Sequence, residues 1–265
     1  MSDVTVHGAA RAAGETAGEN TAPKPVPFHR LLLVEARKMA DTRSAMVMLG
    51  LLAAMTVVSI AARGVDAGPQ LGRLTTTAGI GYGTLLPAIA ILAVTGDWTH
   101  RSALTTFTLE PRRGRVLVAR CLPPLLATVA ASLFALAVAA PVTAVTAALQ
   151  GVPAEWDLDA TRMLGWTATN VLLIAMALAF AMLLLHPAAA IATYFVVGTL
   201  WNLVGNVSEL GREIARWVDL GTAVGPLAAA ELTWMDAARL ATAVLCSVAL
   251  PMAIGAVRAL RAEVR

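Results

Sequence analysis

From Met163 to Asn206 the chain runs through apolar sequence without one Asp, Glu, Lys or Arg. A membrane crossing takes about 20 predominantly apolar residues, so a stretch roughly twice that long has to fold back on itself. The place for the reversal is His186-Pro187, because proline removes a helical donor and pushes the preceding residue out of the helical region. Met163 to Leu185 and Pro187 to Asn206 then read as two spans. Uncharged runs at Ser44 to Ala62, Ala78 to Gly96, Cys121 to Ala147 and Leu240 to Val257 bring the expected spans to six. A mean hydropathy of +0.71 with 14% charged residues agrees, since a soluble surface needs more charge. The expected fold is an all-α polytopic membrane protein.

Orientation follows from the basic residues. Residues 1–43, 97–120 and 258–265 hold 14 of the 20 Lys and Arg but only 8 of the 17 acids. The positive-inside rule places those three pieces, and both termini, in the cytoplasm. The pI of 9.3 is then a consequence of topology and gives no reason to expect nucleic acid. Residues 1–27, rich in Ala, Gly, Thr and Pro and without the apolar core of a signal peptide, read as a disordered cytoplasmic tail. Residues 28–43 read as an interfacial amphipathic helix. Phe28, Leu31 or Leu32, Glu35 or Ala36, and Met39 recur at helical spacing, while Arg30, Arg37, Lys38 and Arg43 reach lipid headgroups.

The six-span region, 44–265, contains one sizeable cytoplasmic loop, 97–120. In DWTHRSALTTFTLEPRRGRVLVAR, Trp98, Leu104, Phe107 and Leu109 form a short amphipathic pattern that Pro111 ends. Arg112, Arg113, Arg115 and Arg120 then restart a helix toward the third span. Such a basic corner suits lipid headgroups or an acidic partner protein, or serves only as a topology anchor.

Several chemistries are excluded or disfavoured. A Walker A loop needs Gly immediately before its Lys, and here Lys24 follows Pro23 and Lys38 follows Arg37. His7, His29, His100 and His186 form no HExxH and no cluster at ligand spacing, so no metal site is expected. Cys121 and Cys246 read as packing residues, and GIGYG at Gly79–Gly83 as a close helix contact. With no ionisable residue in any span, a self-powered secondary transporter is disfavoured. Thr95, Thr128, Thr167, Thr169 and Asn170 read as interhelical hydrogen-bonding groups. Trp201, Asn202 and Asn206 at the outer end of the fifth span are the candidate pathway. Between Val207 and Thr233, two short outer helices are expected, broken at Gly225-Pro226.

Two motifs carry a family resemblance. VEARKMADTRSA is similar to a pattern of Glu, a basic residue and Thr-Arg ahead of a first span. TGDWTHRSALTTFTLEPRRGRVLVAR is similar to a pattern of an acid, an aromatic, a Thr-rich helix, Pro-Arg-Arg and a Val-Leu-Ala-basic approach to a third span. Together they resemble the bacterial ABC transporter permeases of the ABC-type-two export class, with the type V exporter fold, particularly actinobacterial members. Asp97, Arg101 and Arg120 stand where Glu, Gly and Lys are common in that family.

The resemblance implies a permease of an exporter. Two copies, or this chain and a homologous permease, would pair with two separately encoded ATPase subunits that carry the ATP and Mg; this chain would hold no cofactor and catalyse nothing. Trp98 to Glu110 would be the coupling helix, with Leu104, Phe107, Arg112 and Arg113 at the ATPase contact, while Glu35, Lys38 and Arg43 would belong to the interfacial helix. The export substrate is not legible. The rival readings are a membrane enzyme or enzyme-anchoring subunit, and a regulatory or immunity membrane protein without transport.

Overall fold

The computed structural model describes residues 27–99 and 113–261, without the side chains of Ile80, Asp97, Trp98, Thr99, Arg113 and Arg261. The expected tail up to Val26, and Leu104, Phe107, Glu110 and Arg112 of the loop, lie outside the described residues. Every regular element among the described residues is a helix. α1 (Phe28–Asp41) leads into α2 (Arg43–Ala67), short α3 (Leu71–Thr76), α4 (Gly79–Thr99) and the long α5 (Arg113–Gln150). α6 (Ala160–Leu184) and α7 (Pro187–Val207) follow, then α8 (Glu209–Val218), α9 (Leu220–Ala223) and α10 (Gly225–Ala229). α11 (Trp234–Val244) continues through a π-helical turn at Leu245–Ala249 into α12 (Leu250–Arg261).

Five of these helices are long and apolar enough to cross a membrane: Arg43–Ala67, Gly114–Gln150, Ala160–Leu184, Pro187–Val207 and Trp234–Leu260. The stretch expected as the second span is helical too, but its apolar part, Gly81–Gly96, is shorter. At 1.5 Å per residue it covers about 24 Å of a hydrocarbon layer about 30 Å thick. Large apolar side chains face outward along the bundle, among them Val47, Val65, Leu133, Leu149 and Leu203. A surface of that kind matches lipid.

The reversal between α6 and α7 falls where the proline requires it. Leu185 closes α6 in the left-handed region at φ 52°, and its N–H donates to the Ala181 carbonyl. His186 caps α7, its Nδ1 accepting from the Ala189 N–H at 3.3 Å, and Pro187 takes the first turn, where its missing N–H is harmless.

α6 is the central helix. Of its most apolar window 56% is buried, against 11–22% in the other four candidate spans. Ile174, Ala177, Leu178, Ala181 and Met182 pack inward, and the alanines let neighbouring backbones approach. Where α12 crosses it, a Cβ on Gly255 would lie 2.5 Å from the Met182 carbonyl carbon and 2.6 Å from the Leu183 nitrogen, so only glycine permits this contact. At the other end Gly165 meets the Leu227 carbonyl of α10 in the same way. In α4, Gly81 sits against Leu52 of α2, which agrees with the packing role expected for GIGYG. Tyr82 of the same motif stacks on Trp166, ring centroids 5.6 Å apart, and donates to the Ala131 carbonyl of α5.

The hydroxyls expected to bond between helices mostly bond within them. Thr95 donates to Ile91 O and Thr128 to Pro124 O, each at 2.8 Å, and the Asn170 amide to Trp166 O at 2.9 Å. A carbonyl one turn back is the nearest acceptor in hydrocarbon and satisfies the group without help from a neighbour. Thr169 is the exception, reaching Val224 O at 3.5 Å.

α2 and α5 run parallel, since Gln150 at the C-terminal end of α5 donates to Gly64 O and Val65 O at the C-terminal end of α2. At that same end α3 and the strap after α5 are tied by Leu71 N–H to Glu155 O at 3.0 Å and Glu155 N–H to Pro69 O at 2.9 Å. The bundle thus has an α1 end and an opposite end that carries α3 and α8 to α10.

Candidate functional site

At the α1 end, the stripe expected to lie on the membrane turns inward. Phe28, Leu31, Leu32 and Met39 are half-buried and Glu35 is buried, while Leu33 and Val34 face out. α1 packs along the first turns of α5. The reason is on the stripe itself, because a carboxylate at Glu35 has to find a cation before that face can leave water. Glu35 Oε1 accepts from Lys38 Nζ at 3.1 Å, and Oε2 lies 3.8 Å from Arg120 Nε.

Arg120 corrects the reading of the loop arginines as surface anchors, since its side chain is 1% exposed. Val116 and Ala119 are buried beside it at helical spacing, so the face that packs Val116 inward carries Arg120 with it. Arg115 is half-buried, and Arg113 is placed by its backbone alone as the first residue of α5. Arg43 is exposed and opens α2, whose cap is Thr42 accepting from the Ala45 N–H at 3.2 Å. A groove of about 600 Å³ lies between α1, α2 and α4, with Arg37, Lys38 and Asp41 on one side and Leu92, Ala93 and Gly96 on the other.

At the opposite end, the candidate pathway residues separate. Asn206 Nδ2 donates to Asn202 O at 2.8 Å and to Asn202 Oδ1 at 3.0 Å, so the two amides pair along α7. Asn202 lines a cleft of about 550 Å³ together with Tyr194, Thr199, Asp219 and Thr222. Trp201 and Asn206 do not line it.

The outer segment forms three short helices where two were expected, because Asp219 interrupts the chain. Its carboxylate caps α9, accepting from Gly221 N–H at 3.2 Å, Thr222 N–H at 2.9 Å and the Thr222 hydroxyl at 2.7 Å. α8 folds back onto α7 through Gly211, which sits against the Val204 carbonyl, and Ser208 caps it by accepting from the Gly211 N–H at 3.0 Å.

On α8, Glu213 gathers Arg239 at 2.8 Å, Arg216 at 3.1 Å and the Trp217 indole N–H at 3.2 Å, and the Arg239 guanidinium stands 5.7 Å over the Trp217 ring. Hydrogen bonding from Arg239, ahead of that from Trp217 and Arg216, holds the Glu213 carboxyl below its usual range. Asp219, Glu213 and Arg239 were not singled out from the sequence. Glu213 and Arg239 lie on different helices and carry no motif, whereas an aspartate directly after an amphipathic helix is a readable cap signal for Asp219.

No protein-family profile matches the chain, and neither the curated proteins nor the solved structures hold a match to it. The class defined by the fold and its surface is a multi-pass, all-α membrane protein.

Proposed function

We propose that the chain is the membrane-spanning permease subunit of an ATP-driven exporter, with six spans, both termini in the cytoplasm and ATP hydrolysis on a separate subunit. The observation that supports this reading most is the contact of Glu35 with Arg120. Each belongs to one of the two motifs that carry the family resemblance, and the two motifs meet at the base of α5. That contact places α1 beside the segment leading out of loop 97–120, where the movement of an ATPase would enter the membrane domain. Loop residues Trp98 to Glu110 would form the coupling helix, and a second permease copy or a homologue would complete the pathway.

The test is capture of the tagged chain from its own membrane, with identification of what accompanies it. The expected companion is a Walker-motif ATPase whose turnover in lipid depends on this chain, while the chain alone hydrolyses no ATP. Stable assemblies that contain no ATPase would overturn the proposal.

A further inference from the structure

The cleft at the opposite end brings the carboxylate that caps α9 and a pair of aromatic rings into one lining. Asp219 is 7% exposed, and among the described residues it forms no ion pair; its three donors are Gly221 N–H, Thr222 N–H and the Thr222 hydroxyl. The arginines of the neighbouring helices, Arg216 and Arg239, are engaged by Glu213. Its hydrogen bonds hold the carboxylate in place at the cleft wall, and no basic side chain among the described residues pairs with it there.

The same cleft is lined by Tyr194 and Phe195, which pack edge to face, centroids 5.3 Å apart at 87°, and Leu173 and Met176 of α6 add apolar surface. Aromatic faces attract cations as a carboxylate does. Among the described residues no second acid lines the cleft, which makes it a poor cage for Ca²⁺ or Mg²⁺, ions that need several oxygen ligands. A volume of about 550 Å³ lies in the range of small-molecule sites.

We propose that this cleft binds a lipophilic organic cation, with Asp219 as its counter-charge and Tyr194 and Phe195 as its aromatic wall. The proposal rests on the export reading only in making the bound cation cargo.

Binding is measured on the purified full chain in lipid nanodiscs, without an ATPase, using tetraphenylphosphonium and the anion of matching size and shape, tetraphenylborate. The expected result is saturable binding of the cation, with no saturable binding of the anion displaced by it. Asp219→Asn keeps an N-cap side chain and should weaken cation binding at least tenfold. Gly198→Leu is the control that leaves the cap untouched. Gly198 lines the cleft with nothing within 4 Å of its Cβ position, so leucine there should fill the space and abolish binding without loss of fold. Equal binding of cation and anion, or cation binding indifferent to Gly198→Leu, overturns the proposal. Cation binding by a chain whose assemblies captured from the membrane contain no ATPase would sink the export reading and leave the site, whereas capture of a coupled ATPase with no cation binding would do the reverse.

Discussion

Glu35 and Arg120 offer the sharpest test of how α1 is held. At 3.8 Å, two opposite charges attract by about 4 kcal/mol in an effective dielectric of 20. Removing both from water offsets much of that, so the net worth of the pair is smaller than the attraction. Glu35 also binds Lys38, which is 42% exposed and contributes little. Glu35→Gln removes the charge at nearly constant shape and should destabilise by about 1.5–3 kcal/mol, the part of that attraction that desolvation does not offset.

Arg120→Met fills the space with a flexible apolar chain and leaves Glu35 its lysine, so its expected effect is smaller, about 1 kcal/mol. The double variant should lose at least about 1 kcal/mol less than the two singles together, because the one Glu35–Arg120 attraction is lost in each single and only once in the double. Unfolding followed by tryptophan fluorescence in mixed micelles supplies all four corners of the cycle. Additivity within about 0.5 kcal/mol would mean that the two groups do not sense each other and that packing alone docks α1.

Gly255→Ala should destabilise by about 1–3 kcal/mol, since the added methyl meets the α6 backbone. Gly50→Ala, in open space on α2, should gain up to about 1 kcal/mol from helix propensity in the same melt. Glu213 has a depressed folded pKa, so its stabilisation is complete above the ordinary carboxylate pKa and is lost as pH falls through the lowered value. Melts of parent and Glu213→Gln should therefore converge as the pH drops into and below the carboxylate range, and a gap that widens with acid would contradict the assigned cause. Ser102→Cys and Ser208→Cys in a background lacking Cys121 and Cys246 should label from opposite sides with an impermeant thiol reagent; labelling of both from outside intact cells would refute the orientation. Replacing Leu104 and Phe107 together by Asp should remove about 1.5–3 kcal/mol of partner contact per side chain, read as loss of ATPase capture, and undiminished capture would return the loop arginines to anchoring alone.

The α6–α7 reversal was legible because length and proline chemistry both demand it, and the membership of the α1 stripe because helical spacing fixes which residues share a face, though that face was expected on the membrane and packs inward on α5. Span limits were less legible. α5 begins at Arg113 and ends at Gln150, beyond the uncharged run Cys121–Ala147, since a helix need not stop where hydrocarbon does. α3 and its ties to Glu155 follow from pairing between distant segments, and the π turn at Leu245–Ala249 from local packing. Neither leaves a periodic trace. Arg120 was misplaced because an arginine near a span end reads as a snorkelling anchor unless its helical phase is counted against Val116 and Ala119.

The two ends of the bundle, which the sequence presents as unrelated features, share α6. Gly255 of α12 presses on α6 at Met182 and Leu183, near the α1 end, and Leu227 of α10 presses on it at Gly165, near the other. Between those contacts Leu173 and Met176 of the same helix line the cleft that contains Asp219. Backbone contacts this close leave no slack for side chains to absorb a displacement, because packed interiors transmit strain. A push delivered through α1 and the base of α5 would therefore reach the cleft as a shift of α6 as a body. Under the export reading, Gly255→Ala should disturb coupling as well as stability, while Gly50→Ala, which touches no neighbour, should leave coupling unchanged.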